Sequence, residues 1–403
     1  MDVLIRLFTR RRIVVRKRHR PAIYGVLYAG NLLYGFQFFL TNNVHSSLLE
    51  QFVGTQYVGF IFAFAAILGL VAYYYIGPLL RYFGNHRLVV FLATTQVFAL
   101  LGLSVAPALW LVVPLYALVA LNSLLMVYCM DIFLESYAEG EDDTGSVRGL
   151  FLTVMTIAAV LSPLLLALIL GDGEAYGRVY FLASLFLIPF TFILGYATQN
   201  FRDPEYRPLH LCETLGTLWG NHNLRRILCA QFLLRLFFSW SVIYTPLLLV
   251  QQLGFTWEDF GVILAIALTA YVIFEYPTGW IADNILGEKE LLLTGIGLIA
   301  TTLMIIPYFT AMPLLAWAAL FFINRIGASF VEVTTESYFF KLVNGTDTNL
   351  ISVFRMLRPL AFLVGSVSAS VALFFVSLPV LFLLFGVSML VGLLIVLPLQ
   401  DTR

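Results

Sequence analysis

The chain has 403 residues, 61% of them hydrophobic and 11% charged, with 23 Lys and Arg balanced by 23 Asp and Glu. Soluble domains run at about 45–50% apolar and about 25% charged, so a soluble core is excluded as the home for this much apolar surface, and a lipid bilayer is the natural partner. Zero net charge leaves no electrostatic footprint for nucleic acid or another polyanion.

In chain order, residues 1–21 form a basic segment with eight Lys and Arg among residues 1–20. It is too basic for too long, and lacks a small-residue cleavage site, to read as a signal peptide, so it reads as a cytoplasmic topology signal. A span needs about 20 mostly apolar residues. Twelve segments qualify: 22–42, 55–80, 87–107, 109–135, 147–170, 178–197, 227–251, 258–282, 290–310, 312–338, 349–373 and 377–399. All must be helices, because lone strands leave backbone groups unpaired in lipid. The long polar break 198–226 divides the chain into a first six-helix bundle (22–197) and a second (227–403), joined by a central loop. With the N-terminus cytoplasmic, eighteen of the 23 Lys and Arg fall on the cytoplasmic side, and an even span count returns the C-terminus there.

The halves repeat. At an offset of 202, Gly59 meets Gly261, Ala63 meets Ala265 and Gly77 meets Gly279; at 201, Glu135-Ser136-Tyr137 meets Glu336-Ser337-Tyr338. Two related membrane halves in one chain point to a pathway built between them. Between the second and third spans of the second half the chain reads Gly279-Trp280-Ile281-Ala282-Asp283, then Gly287-Glu288-Lys289. This resembles the G-x-x-x-D-x-x-G-[RK]-[RK] loop of the major facilitator superfamily, and the twelve spans, parallel halves and central loop extend the resemblance over nearly the whole chain. The resemblance implies an all-α fold of two pseudo-symmetric six-helix bundles, alternating access, and a cytoplasmic clasp at Gly279, Asp283, Gly287 and Lys289. The first half departs from the pattern: Gly77-Pro78-Leu79-Leu80-Arg81, then Gly84, puts Arg81 where the acid is expected. The first clasp must therefore be built differently. The Gly-Pro antiporter signature of the family's fifth helix is also absent; Ala159-Val160-Leu161-Ser162-Pro163 keeps only the proline.

Charges inside spans cost about 2.5–3.5 kcal/mol each on insertion scales and seldom persist without a partner or a task. Four arginines fall there: Arg235, Arg325, Arg355 and Arg358. A rise of about 1.5 Å per residue puts Arg235 and Glu275 at similar depth, which predicts an Arg235–Glu275 pair, and likewise a Glu332–Arg355 pair. Arg325 and Arg358 then have no carboxylate at their level. A planar guanidinium that stays charged suits an anion, so a small organic solute with an anionic group is the favoured substrate. Its site would comprise Arg325, Arg358, Asn324 and Arg235, with Trp240 and Tyr244 as aromatic wall and Asn31, Gln37 and Asn122 from the first half. Glu275 and Glu332 are candidates to carry a coupled proton. Asp131, Glu135, Arg148, Glu336 and Arg355 read as boundary or gate charges.

Other chemistry is not encoded. No P-loop, G-x-S-x-G or H-E-x-x-H pattern occurs, and Cys129, Cys212 and Cys229 form no C-x-x-C, so neither enzyme activity, a cofactor nor a metal is expected. The sequon at Asn344 lies in an expected cytoplasmic loop and should be unused. The expected partners are a small-molecule substrate, the bilayer and possible coupling protons, in a monomer of a bacterial plasma membrane. The alternatives are a proton-driven exporter of amphipathic compounds and a receptor or scaffold that keeps the fold without transport.

Overall fold

The computed structural model describes residues 20–138, 144–171, 173–206, 214, 216, 218, 220–343 and 348–400. Twelve long helices run through these residues: α1 (Arg20–Val53), α2 (Thr55–Phe83), α3 (Asn85–Val105), α4 (Leu109–Ala138), α5 (Thr144–Leu170), α6 (Tyr176–Ala197), α7 (His222–Pro246), α8 (Trp257–Asn284), α9 (Glu288–Ile305), α10 (Leu314–Leu342), α11 (Thr348–Ala372) and α12 (Leu378–Val396). Each is long and apolar enough to cross a membrane, and each keeps its backbone hydrogen bonds within itself, as lipid requires. The helix ends are set by local chemistry. The Asn221 side chain caps α7 by accepting from Asn223 N and Leu224 N at 3.1 Å. Thr256 and Asp259 form a reciprocal capping box at the start of α8. The tight turns before α3 and α9 pass through Gly84 at φ 74° and Gly287 at φ 96°, a region in which a side chain would be strained.

Eleven spans fall close to their sequence limits. The first does not: hydropathy ends it at residue 42, yet α1 continues to Val53. Asn43, His45, Ser46 and Ser47 in that extension are all buried. They are polar, which is why the hydropathy falls, but they face protein, and the His45 ring meets the Tyr180 hydroxyl at 2.9 Å. α7 likewise continues as a π-helix over Leu247–Gln252 after Pro246.

The packing plan is the same in both halves. α1 packs on α5 and α6, α2 on α4, and α3 on α4 and α6; six helices later, α7 packs on α11 and α12, α8 on α10, and α9 on α10 and α12. The halves meet where α2 lies along α11 and α5 along α8, with α1 against α7 on the axis between them. Large apolar side chains that stay exposed, such as Phe98 and Phe192, lie on the outside of the bundles, the face for lipid. Below, "basic face" means the side where α1 begins and α12 ends.

Candidate transport pathway

A cavity of about 110 Å³ lies between α1, α2 and α4 of the first half and α11 of the second. Its wall includes Phe38, Thr41 and His45 from α1, Phe62 and Gly69 from α2, Tyr116 and Ser123 from α4, and Arg358 and Phe362 from α11. The Arg358 guanidinium lies over the Phe38 ring, 5.7 Å from its centre. Among the described residues no carboxylate lies within ion-pair distance of Arg358, and it makes no hydrogen bond.

The other three intramembrane arginines are engaged. Arg235 does not pair with Glu275: it sits 3.3 Å from Glu332 and 3.8 Å from Glu336. The reason is that α7 packs along α10, so the carboxylates within reach come from α10. The Gln231 amide turns its oxygen to Arg235, at 3.0 and 3.1 Å, and its nitrogen to Thr335. Arg355 does not pair with Glu332 either; it is bound to Asp131 of α4, across the boundary between the halves. α11 lies against α2 and α7, and Arg355 reaches from there toward the first half. Arg325 is buried, donates to Ser241 Oγ at 2.5 Å and lies 5.0 Å from the centre of the Phe237 ring. It is not part of the cavity wall. Glu275 is half-buried and has no ion pair among the described residues, with Glu332 and Glu336 as its charged neighbours.

The uncharged residues expected at the site serve packing in this conformation. Asn31 donates to the Phe151 carbonyl at 2.7 Å, tying α1 to α5. Gln37 accepts from Gln96, which also donates to Ser123, so Gln37 sits in a polar network behind the cavity. Asn122 donates to Thr95 at 3.0 Å and Asn324 to Thr302 at 2.8 Å, the same tie in each half. Trp240 donates to the Gly365 carbonyl and stacks on Phe385, with ring centres 3.9 Å apart. Tyr244 reaches the Ser366 carbonyl at 3.5 Å. Patterning and charge spacing give no sign of His45, Gln96 or Asp203, each of which meets a partner 27 to 135 residues away.

Layers of contact bracket the cavity. Away from the basic face, Gly59 of α2 abuts the Ser366 carbonyl and the Ser370 and Tyr244 hydroxyls so closely that a methyl group would overlap all three. Its repeat mate Gly261 of α8 abuts the Pro163 carbonyl and Ala167 of α5 in the same way. Beyond this layer lies a second cavity of about 350 Å³, lined by Glu50, Gln56, Gln251 and Gln252 among others. Toward the basic face, one helical turn from Arg358, is the Asp131–Arg355 pair.

The loop clasps also take shape. In the second half Lys341 of α10 binds Asp283, at 3.0 Å, and Glu288, the buried first residue of α9. Gly279 and Gly287 frame that turn, and Lys289 follows it without a charged partner among the described residues. In the first half Gly77 and Gly84 hold the same places and Arg81 is exposed. The missing acid comes from the central loop: Asp203 accepts from the Asn85 backbone N–H at 2.7 Å and from the Tyr206 hydroxyl at 2.6 Å. Burial and the neighbouring Asp203 carboxylate push the Tyr206 hydroxyl well above its ordinary pKa, so it remains a donor. Glu135 is exposed near the end of α4. The side chain of Arg148, the sequon at Asn344 and Cys212 lie outside the described residues.

This geometry agrees with two comparisons. Residues 227–403 match the family model described as Major Facilitator Superfamily. The whole chain superposes on the crystal structure of a bacterial homolog to the human lysosomal transporter Spinster, in an inward-facing and unoccupied conformation. That match has a TM-score of 0.68 and covers 95% of each chain. At 10% identity the likeness carries the fold alone. No curated protein sequence matches the chain. The second half of the chain thus matches the major facilitator superfamily, the whole chain has the fold of a transporter of that architecture, and its twelve long apolar helices make it a multi-pass membrane protein.

Proposed function

We propose that the protein moves a small organic solute with an anionic group across a bacterial plasma membrane, as a monomer with both termini in the cytoplasm. The two bundles rock about the cavity, with the Gly59 and Gly261 contacts closing one side and the Asp131–Arg355 pair and loop clasps the other. One observation carries the anionic reading. Of four intramembrane arginines, Arg358 is the one that faces a cavity with no hydrogen bond or ion pair among the described residues. A guanidinium held against an aromatic face with its N–H edge open is a ready partner for a carboxylate or similar group. Arg325, Asn324, Asn122, Asn31, Gln37, Trp240 and Tyr244 support this site from behind rather than line it.

The test is counterflow in proteoliposomes loaded with organic anions, neutral solutes or lipophilic cations. Uptake confined to anions, and lost in Arg358→Gln, is the expected result; uptake of lipophilic cations with anions inert would overturn it. A second reading, proton-driven export, draws on Glu275, a carboxylate with no ion pair among the described residues, beside the Arg235-bound Glu332. In that case Glu275→Gln abolishes transport driven by a pH gradient and spares counterflow.

A further inference from the structure

We infer that the ligand of this cavity is a monocarboxylate with a compact apolar body, about the size of a phenyl ring or a branched four-carbon chain. The inference rests on the anionic reading above and narrows it by charge, size and wall chemistry.

Charge comes first. Among the described residues, the cavity wall contains one cation, Arg358, and no carboxylate. The nearest cation along α11, Arg355, is already bound to Asp131. A single negative group is therefore matched, whereas a dicarboxylate or phosphate dianion would bring a second charge with nothing to meet it.

Size comes next. Apolar cavities of about 150 Å³ hold a benzene molecule. The pocket here is half open, and at about 110 Å³ the space between its walls encloses a body of that order or slightly smaller.

The wall decides the rest. Phe38, Phe62, Tyr116 and Phe362 present aromatic surface, with Ala65 and Ala66 leaving room between them. Of the five uncharged polar side chains on the wall, Thr41, His45 and Ser123 are occupied, and Asn42 and the Tyr116 hydroxyl make no hydrogen bond among the described residues. The Thr41 hydroxyl donates to the Gln37 carbonyl at 3.0 Å, the His45 ring is engaged with Tyr180, and Ser123 accepts from Gln96. A polyhydroxylated acid would lose water at every hydroxyl and find only Asn42 and the Tyr116 hydroxyl as uncommitted partners on the wall. An apolar body loses nothing of that kind and gains by leaving water. The carboxylate then sits in the Arg358 fork while the body packs between the rings.

The test is a thermal-shift series on the purified full-length protein, with ligands that change one property at a time: benzoate, isobutyrate, benzamide, phthalate and gluconate. Binding to the folded form raises the melting temperature by mass action. Benzoate and isobutyrate should stabilise, each binding roughly tenfold or more tightly than benzamide, phthalate or gluconate. Arg358→Gln should abolish the preference for benzoate over benzamide. Arg358→Lys, which keeps the charge without the planar fork, should retain that preference at weaker affinity. Phthalate or gluconate binding as well as benzoate, with dependence on Arg358, would overturn the substrate class and leave the anionic reading standing. Binding of benzamide with every anion silent would overturn both. Silence of benzoate and isobutyrate at concentrations that saturate a site of roughly millimolar affinity would also overturn the class.

Discussion

The two six-helix halves share a contact plan but differ in the polar chemistry that fills it. Asn122 and Asn324, one repeat apart, each tie the fourth helix of their half to a threonine of the third, and Gly59 and Gly261 allow the same close approach between halves. Around these fixed points the first half has a neutral network of Gln37, Gln96 and Ser123 beside an aromatic cavity. The second half has a charged one, Arg235 with Glu332 and Glu336, and buries Arg325 at the position that corresponds to Ser123. The lesson is that the repeat preserves packing while ligand chemistry is assembled asymmetrically: the cavity walls come mainly from one half and the open charge from the other.

The largest effects should come from breaking what the halves share at their junction. Gly59→Val and Gly261→Val each force a side chain into backbone and should cost about 2–3 kcal/mol by overpacking. The check is a fall in melting temperature of the apo protein, similar for both; a neutral outcome at either site would show that the contact is not a closed layer. Next comes the pair that joins the halves by charge. Asp131→Asn leaves Arg355 without its partner and should cost about 1–2 kcal/mol at this partial exposure. The double exchange Asp131→Arg with Arg355→Asp should recover part of that loss, as a double-mutant cycle would register.

A third comparison sets the clasps against each other. Glu288 is buried against Lys341, whereas Asp203 reaches in from a loop to an exposed turn. Glu288→Gln should therefore destabilise by about 1–2 kcal/mol and Asp203→Ala by about 1 kcal/mol or less. Equal losses would remove the asymmetry argued here. The smallest contrast is the pair Asn122→Ala and Asn324→Ala, each about 1 kcal/mol. These two should agree, because each deletes one Asn–Thr bond between the third and fourth helices of its half.

The fold was largely legible in the sequence because lipid imposes one rule on every segment, and apolar length then reveals the helices. α1 was the exception: its polar end, through His45 and Ser47, is buried against protein, a circumstance hydropathy cannot register. The site was legible only in part. Depth arithmetic places Arg235, Glu275, Glu332 and Arg355 at sensible levels, but pairing depends on which helices touch. α7 meets α10, and Arg355 reaches Asp131 in the other half, so both expected pairs gave way to others. The vacancy left by Arg81 did signal that an acid had to come from elsewhere; its source, Asp203, lies 118 residues from the Asn85 backbone N–H that it accepts from.

The most direct test of the central claim, that Arg358 is held open for ligand while the other arginines hold the fold, is one assay on four variants. Arg235→Gln, Arg325→Gln, Arg355→Gln and Arg358→Gln would each be melted with and without benzoate. The account predicts that the first three lose apo stability, because each strands a partner that is buried or partly buried. Arg358→Gln should keep or gain apo stability and lose the benzoate shift, as expected where function maintains an uncompensated charge. Loss of apo stability in Arg358→Gln with the benzoate shift intact would contradict the account.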